Sequence, residues 1–269
     1  VGSEMCIRDS SRTINMLRRF GDNKLTRFMI SVIYKSNKRL PITVFGQDYI
    51  HPFGLAAGMD KKGEAINGWG SLGLSFAEIG GITMLEQSGN PKPRMFRSNN
   101  YKALVNRMGF NNPGSEKMRS AFENHFAKFG KPEIPIWVNL GKSKLTENED
   151  AHSDYSTTLG RLWEFTDVFV INVSSPNTPN LRDLQGVGQL RIIIESCQKM
   201  NQEKSAEFSS SPKPLLVKVA PDMSLEQLED IVKVAIDCGC SGIVATNTTV
   251  TRVGELSGDK NLQESGGLS

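Results

Sequence analysis

Six short, almost unbroken apolar runs govern what this chain can fold into. They fall at residues 53–57, 76–79, 136–140, 168–173, 215–219 and 242–245, and segments of helical period lie between them. A run that is apolar at every position, rather than at every second one, suits a strand covered on both faces, as in a parallel sheet. The helical segments are 114–129, 153–163, 188–201 and 224–238, with a hydrophilic surface loop expected at 202–213. Strand–helix alternation of this kind predicts α/β architecture. Polar clusters follow the runs: 58–61, 80–83, 139–142, 172–177, Lys218 and 246–248. In a closed (β/α) barrel all strand ends meet at one mouth, whereas in a doubly wound sheet only those at the switch point meet. So many polar strand ends favour the barrel.

The net charge of +3 is unevenly spread. Residues 1–40 carry nine Lys/Arg against three Asp/Glu, so the rest of the chain is slightly acidic. Within that arm, Leu25, Phe28, Met29, Val32 and Ile33 recur at i, i+3, i+4, i+7 and i+8. They define an amphipathic helix flanked by Arg18, Arg19, Lys24, Arg27, Lys35, Lys38 and Arg39. Periodicity leaves two readings open: a helix packed on its own domain, or one lying in a membrane interface. The first ten residues, VGSEMCIRDS, match nothing that follows and are set aside as a leader or fragment boundary. The expected division is therefore an extension over 1–40 and a barrel domain over 41–269.

No apolar run approaches the roughly 18 residues of a membrane-spanning helix. No phosphate-binding G-x-G-x-x-G or G-x-x-x-x-G-K-[ST] is present. Cys6, Cys197, Cys238 and Cys240 lack zinc or redox spacing and read as reduced thiols. His51, His125 and His152 lie outside the polar clusters, which argues against a metal site or a histidine-activated nucleophile.

The clusters suggest chemistry, each against a plainer reading. In Ala56-Ala57-Gly58-Met59-Asp60-Lys61 small residues let backbone approach a flat ligand, and Lys61 offers a charge for an anion; a tight turn would look similar. Asn106-Arg107-Met108-Gly109-Phe110-Asn111-Asn112 concentrates amides whose paired donors and acceptors suit an imide edge, although Asn is also a turn former. Asn172-Val173-Ser174-Ser175-Pro176-Asn177-Thr178 leaves a buried strand at a proline-fixed turn. Ser175 there is a proton acceptor only if its own proton is relayed, for which Thr178 is the candidate. Lys218, inside an apolar strand, needs either an ion-pair partner or an anionic ligand.

Together the strings FGLAAGMDKKGE, FAEIGGIT, KPRMFR, NRMGFNN, VNLGKSK, INVSSPNTPNLRDLQ, LLVKVAPD, GIVATNTT and GGLS resemble the dihydroorotate dehydrogenase family, in family order, over residues 44–269. The resemblance implies a (β/α)8 TIM barrel with flavin mononucleotide (FMN) at its mouth and oxidation of dihydroorotate to orotate in pyrimidine synthesis. It assigns Ser175 as the base, with Phe110 and Thr178 lining the proton exit. Substrate contacts fall to Lys61, Asn106, Arg107, Met108, Gly109 and Phe110 from the first half. Asn172, Asn177, Asn247 and Thr248 complete them. FMN contacts fall to Ala57, Gly58, Met59, Asp60, Lys61 and Gly81, then to Asn139, Asn172, Lys218 and Thr246. No metal and no nucleic acid enter.

Soluble classes of the family carry Cys where Ser175 stands, and cysteine ionises more easily. Serine therefore resembles the quinone-dependent class, whose N-terminal amphipathic extension lets ubiquinone or menaquinone reach the flavin from the lipid. That implies a peripheral protein of the bacterial inner membrane or, alternatively, the mitochondrial one. Two other functional readings are an FMN barrel acting on a pyrimidine-like ring with a non-quinone acceptor and a non-catalytic basic binding module. The chain departs from the family pattern in three ways. Gly81 stands where Thr or Ser is usual, the extension is short for a full quinone tunnel, and the chain stops at Gly266-Gly267-Leu268-Ser269. The family continues with two further strand–helix units that hold the FMN phosphate. The 269 residues are thus expected neither to close a barrel nor to hold FMN well, an expectation that yellow, active protein would refute.

Overall fold

The structure, a computed structural model, describes residues 2–34, 40–252 and 258–269, with side chains described from residue 11. Lys35, Lys38 and Arg39 of the basic arm and the side chain of Cys6 lie outside what is described. Helix α1 (Gly2–Asp22) runs through the stretch set aside above as a leader. Its end and the start of α2 (Lys24–Tyr34) meet at Asn23, whose Oδ1 accepts the Leu25 and Thr26 amides, an N-cap. Ile14 and Leu17 of α1 are buried against Ala65, Trp69, Ala77 and Ile134. Gly21 lies on Gly68 so closely that a Cβ would fall 2.3 Å from the Gly68 nitrogen. α1 is therefore a packed helix. α2 lies against α1 and α3 on one side, but Leu25, Phe28, Met29, Val32 and Ile33, the expected stripe, are all exposed.

Strands β1 (Ile42–Val44) and β2 (Gln47–Tyr49) pair antiparallel about Phe45-Gly46, both at positive φ, as a two-residue hairpin turn with the native twist requires. Phe45 then packs on Trp137, Val168, Val170 and Leu216, closing the end of the parallel sheet where the strands begin.

Next come α3 (Ile66–Ser71), β3 (Ala77–Ile82), a β4 (Met95–Ser98) and β5 (Ala103–Asn106) hairpin, and α4 (Ser115–Phe129). Then follow β6 (Ile136–Leu140), α5 (Ala151–Leu162), β7 (Val168–Asn172), α6 (Val187–Glu207), β8 (Leu215–Val219), α7 (Leu225–Asp237), β9 (Gly242–Ala245) and β10 (Gly267–Leu268). The parallel sheet has the order β3-β6-β7-β8-β9, so each new strand joins the same edge without reversal. That is the winding of a barrel wall rather than of a doubly wound sheet.

Alternate side chains of these strands point to opposite faces. Ile79, Val138, Leu140, Phe169, Ile171, Val217 and Val219 join the helices in the main core. Val168, Val170 and Leu216 face the barrel interior. Both faces being apolar in the lower half explains the continuous hydrophobic runs.

Two expectations are corrected. Residues 53–57 form no strand, only the parallel bridge Leu55–Ala77, because Pro52 and Gly54 interrupt them and Phe53 faces solvent. The first half of the 202–213 loop is helix, since α6 continues to Glu207. Its last turns are good helix formers held by a Lys204–Glu207 pair. Asn201, fully buried, accepts the Trp163 indole N–H and the Lys213 amide and donates to the Lys213 carbonyl, pinning α6 to the entry of β8.

Candidate active site

At the carboxyl ends of the strands lies a cavity of about 800 Å³. Its wall includes Ala57, Gly58, Met59 and Lys61 from the loop before α3, and Gly81 of β3. Asn106, Met108, Gly109 and Phe110 come from the β5–α4 connection. Asn139, Asn172, Ser175, Asn177, Lys218, Thr246, Asn247 and Thr248 come from the ends of β6 to β9. The separate polar clusters of the sequence are thus one surface. A second, three-stranded sheet of order β10-β5-β4 borders it and contributes Met95, Arg97, Leu104 and Leu268.

The interior polar layer forms a continuous network. Asn139 Nδ2 donates to Glu78 Oε1 at 2.7 Å and Asn172 Nδ2 donates to Asn139 Oδ1 at 2.9 Å. Asn247 Nδ2 donates to Asn172 Oδ1 at 3.3 Å and to Ser174 Oγ at 3.1 Å. Across it, Lys218 Nζ stands 3.9 Å from Glu78 Oε1, both groups being buried. Of the two partners considered for Lys218, a carboxylate is therefore present, at a long distance, while the amine still lines the cavity. Sequence reasoning missed Glu78. Its signal was the one used for Lys218, a charge inside an apolar run.

Lys61 donates to Asn111 Oδ1 at 2.7 Å. Burial, aided by the nearby Arg94 charge, lowers its pKa to about 8. Arg94 is itself buried, and its guanidinium holds the Ser88 and Asn90 carbonyls. Asn90 in turn donates to the carbonyls of Arg107 and Asn177, tying the 106–110 loop to the serine loop. Ser175 lines the cavity, nearly buried, and its Oγ accepts the Asn177 amide at 3.3 Å. The Phe110 ring lies over Gly81 and Gly141; a Cβ on Gly81 would sit 2.7 Å from it. Only the Gly81 backbone faces a ligand.

Three expected site residues are not brought to the wall. Asp60 is buried, and its carboxylate accepts the Glu64 and Ala65 amides and the Trp69 indole N–H at the start of α3. Arg107 turns outward to Glu264 at 2.6 Å and stacks on Phe96. Thr178 is buried behind the wall with a hydroxyl that has no protein partner.

A cavity whose wall combines small residues, amides and two lysines has room and charge for a flat, anionic ring. Gly58, at φ +107, has open space where a Cβ would stand, so backbone approach there is unobstructed. Among the described residues no cluster of His, Cys, Asp or Glu forms a metal site.

Fold and cavity together define a β/α-barrel protein with a cavity at the strand carboxyl ends. The sequence profile of the dihydroorotate dehydrogenase family matches residues 39–269. The chain belongs to that family. It is 45% identical over 234 residues to a dihydroorotate dehydrogenase (quinone) of Chloroflexus aurantiacus, covering 87% of this chain and 63% of that one. It is 46% identical over 240 residues to the enzyme of the same name from Thermosynechococcus vestitus, with the same coverage. A crystal structure of dihydroorotate dehydrogenase from Eimeria tenella in complex with ferulenol superposes with a TM-score of 0.79 at 34% identity, over 92% of this chain and 72% of that one. The chain thus spans just under two thirds of the length of the first two relatives.

Proposed function

We propose that this chain forms the substrate-binding part of a quinone-dependent dihydroorotate dehydrogenase, which oxidises dihydroorotate to orotate with FMN as cofactor. The observation carrying this reading is the meeting of Lys61, the amide set and Ser175 in one cavity. The names of the relatives support the quinone acceptor. FMN, held against Ala57, Gly58, Met59, Gly81, Asn139 and Lys218, supplies a hydride acceptor when bound. Lys218 would offer its amine to that cofactor from the cavity wall.

The chain's own residues do the rest. Lys61 pairs with the substrate carboxylate. Asn106, Asn172, Asn177 and Asn247 offer donors and acceptors to the ring's amide edges, and a site built on such groups rejects rings lacking them. Ser175, on the cavity wall, takes the ring proton. A serine is a weak base, so the proton must move on. The unpartnered Thr178 hydroxyl, one turn further along the loop, is the next acceptor, through a water where needed. Phe110 closes the outer side and keeps bulk solvent from the reacting carbon.

The exposed face of α2, with Arg27 and Lys24 beside it, rests on the membrane surface that supplies the quinone. No described helix is long and apolar enough to cross a membrane.

The test is orotate formation, followed by ultraviolet absorbance, by the enzyme that carries these residues at the full length of its relatives, with FMN and a soluble quinone. Ser175→Ala is expected to lower kcat at least ~10²-fold at neutral pH while orotate affinity stays within about threefold. Retention of full activity by that variant would overturn the assignment.

A further inference from the structure

Arg182 stands in the short 3-10 turn Leu181–Gln185, seven residues after Ser175, and does not line the cavity. Its guanidinium nevertheless reaches three strand-end loops. Nε donates to the Ser174 carbonyl at 3.2 Å, Nη1 to Asp222 Oδ2 at 3.0 Å and Nη2 to the Thr248 carbonyl at 3.3 Å. Asp222, on the loop after β8, accepts the Thr249 hydroxyl, the Val250 amide at 3.0 Å and the Thr251 hydroxyl at 3.0 Å. The two side chains are only 23% and 13% exposed.

Burial pushes the Asp222 carboxyl up, but the donors Thr249, Val250, Thr251 and Arg182 outweigh it and hold it at about 2. Both partners are therefore ionised at any pH at which the protein works. One ion pair ties the loop of the catalytic serine to the loop carrying Asn247 and Thr248, from outside the cavity.

We propose that Arg182 and Asp222 form a positioning clamp that sets Ser175 against the substrate-binding wall of Asn247 and Thr248. The proposal rests on the reading of Ser175 as the base. Three divergent bonds at fixed angles need a planar guanidinium fork, and a lysine ammonium on one stem cannot reproduce them. Neither residue contacts substrate, so the clamp acts through the geometry of those that do.

The experiment compares the enzyme that carries these residues at the full length of its relatives, loaded with FMN, with its Arg182→Lys, Arg182→Ala and Asp222→Asn variants by amide hydrogen exchange and by turnover. The clamp predicts that exchange in segments 174–178 and 247–251 rises together, about tenfold, in all three variants, with the strands β6 to β8 unchanged. It also predicts that kcat falls ~10²-fold, more than KM for dihydroorotate rises, since a misplaced base costs that much. Added guanidinium ion should restore both readouts to Arg182→Ala in part. Unchanged exchange in either segment, or exchange that spreads equally through the strands, overturns the clamp. A wild-type chain that binds no orotate overturns the functional reading instead, and the exchange comparison then still decides the clamp.

Discussion

Lys61 and Lys218 are both lysines in the barrel mouth, yet their surroundings give them different duties. Lys61 is brought down to about 8 by burial and by Arg94. Below that pH it is an ammonium that pairs with a carboxylate, and above it the amine is neutral. Orotate affinity is therefore expected to weaken as pH rises through about 8, with about half a proton taken up on binding at that pH and close to one above it; calorimetry in buffers of different ionisation enthalpy measures it. Lys61→Met should bind weakly and without that pH dependence. The ligand-free chain behaves oppositely. Its folded pKa lies below the ordinary 10.5, so the folded state holds fewer protons between about 8 and 10.5, and stability contributed by this group rises with pH there. Lys218 instead has Glu78 at 3.9 Å. Glu78→Gln leaves a buried ammonium without its anion and should cost about 3 kcal/mol in urea unfolding. The double variant Glu78→Gln, Lys218→Met should recover part of that loss.

Single elements differ in where their stability comes from. α7 is stabilised at its start by a capping box in which Ser224 accepts the Gln227 amide and the Gln227 side chain accepts the Ser224 amide. Ser224→Ala is expected to cost about 1 kcal/mol, read from the urea midpoint at constant slope. α2 holds no buried residue, so its apolar stripe contributes little to the fold. Replacing Phe28 and Ile33 by Ser should leave the melting temperature within about 2 °C yet remove the chain from anionic lipid vesicles in a flotation assay. Equal flotation of that variant would sink the membrane role of α2. The contrast with α1 is physical: Ile14, Leu17 and Gly21 of α1 dock on the barrel, whereas the apolar stripe of α2 is exposed.

For the molecule as a whole, the sheet is layered. Toward the strand starts, both faces of β6, β7 and β8 are apolar and packed; toward the strand ends, the interior face turns polar. One strand thus serves folding with its first residues and the site with its last. Phe169, fully buried between sheet and helices, marks the first part, and Phe169→Ala should cost about 3–5 kcal/mol. The polar part is held from two sides, by the amide network within the cavity and by loop tethers such as Asn90 outside it.

The strands at 136–140, 215–219 and 242–245 were legible to the residue because continuous apolar runs have few other uses in a chain of this texture. The mouth was legible because polar residues at strand ends in a singly wound sheet must converge. Residues 53–57 and the length of α6 were not, since a proline and a glycine loosen the first, and the second depends on Asn201 reaching Trp163. Tertiary structure alone decided which way each loop side chain turns. Asp60 and Arg107 belong to motifs that read as binding loops, but the amides heading α3 claim one and Glu264 claims the other. Local periodicity resides in neighbouring residues and is written in the sequence. The direction of a polar side chain depends on partners that can lie more than a hundred positions away, as Glu264 does from Arg107.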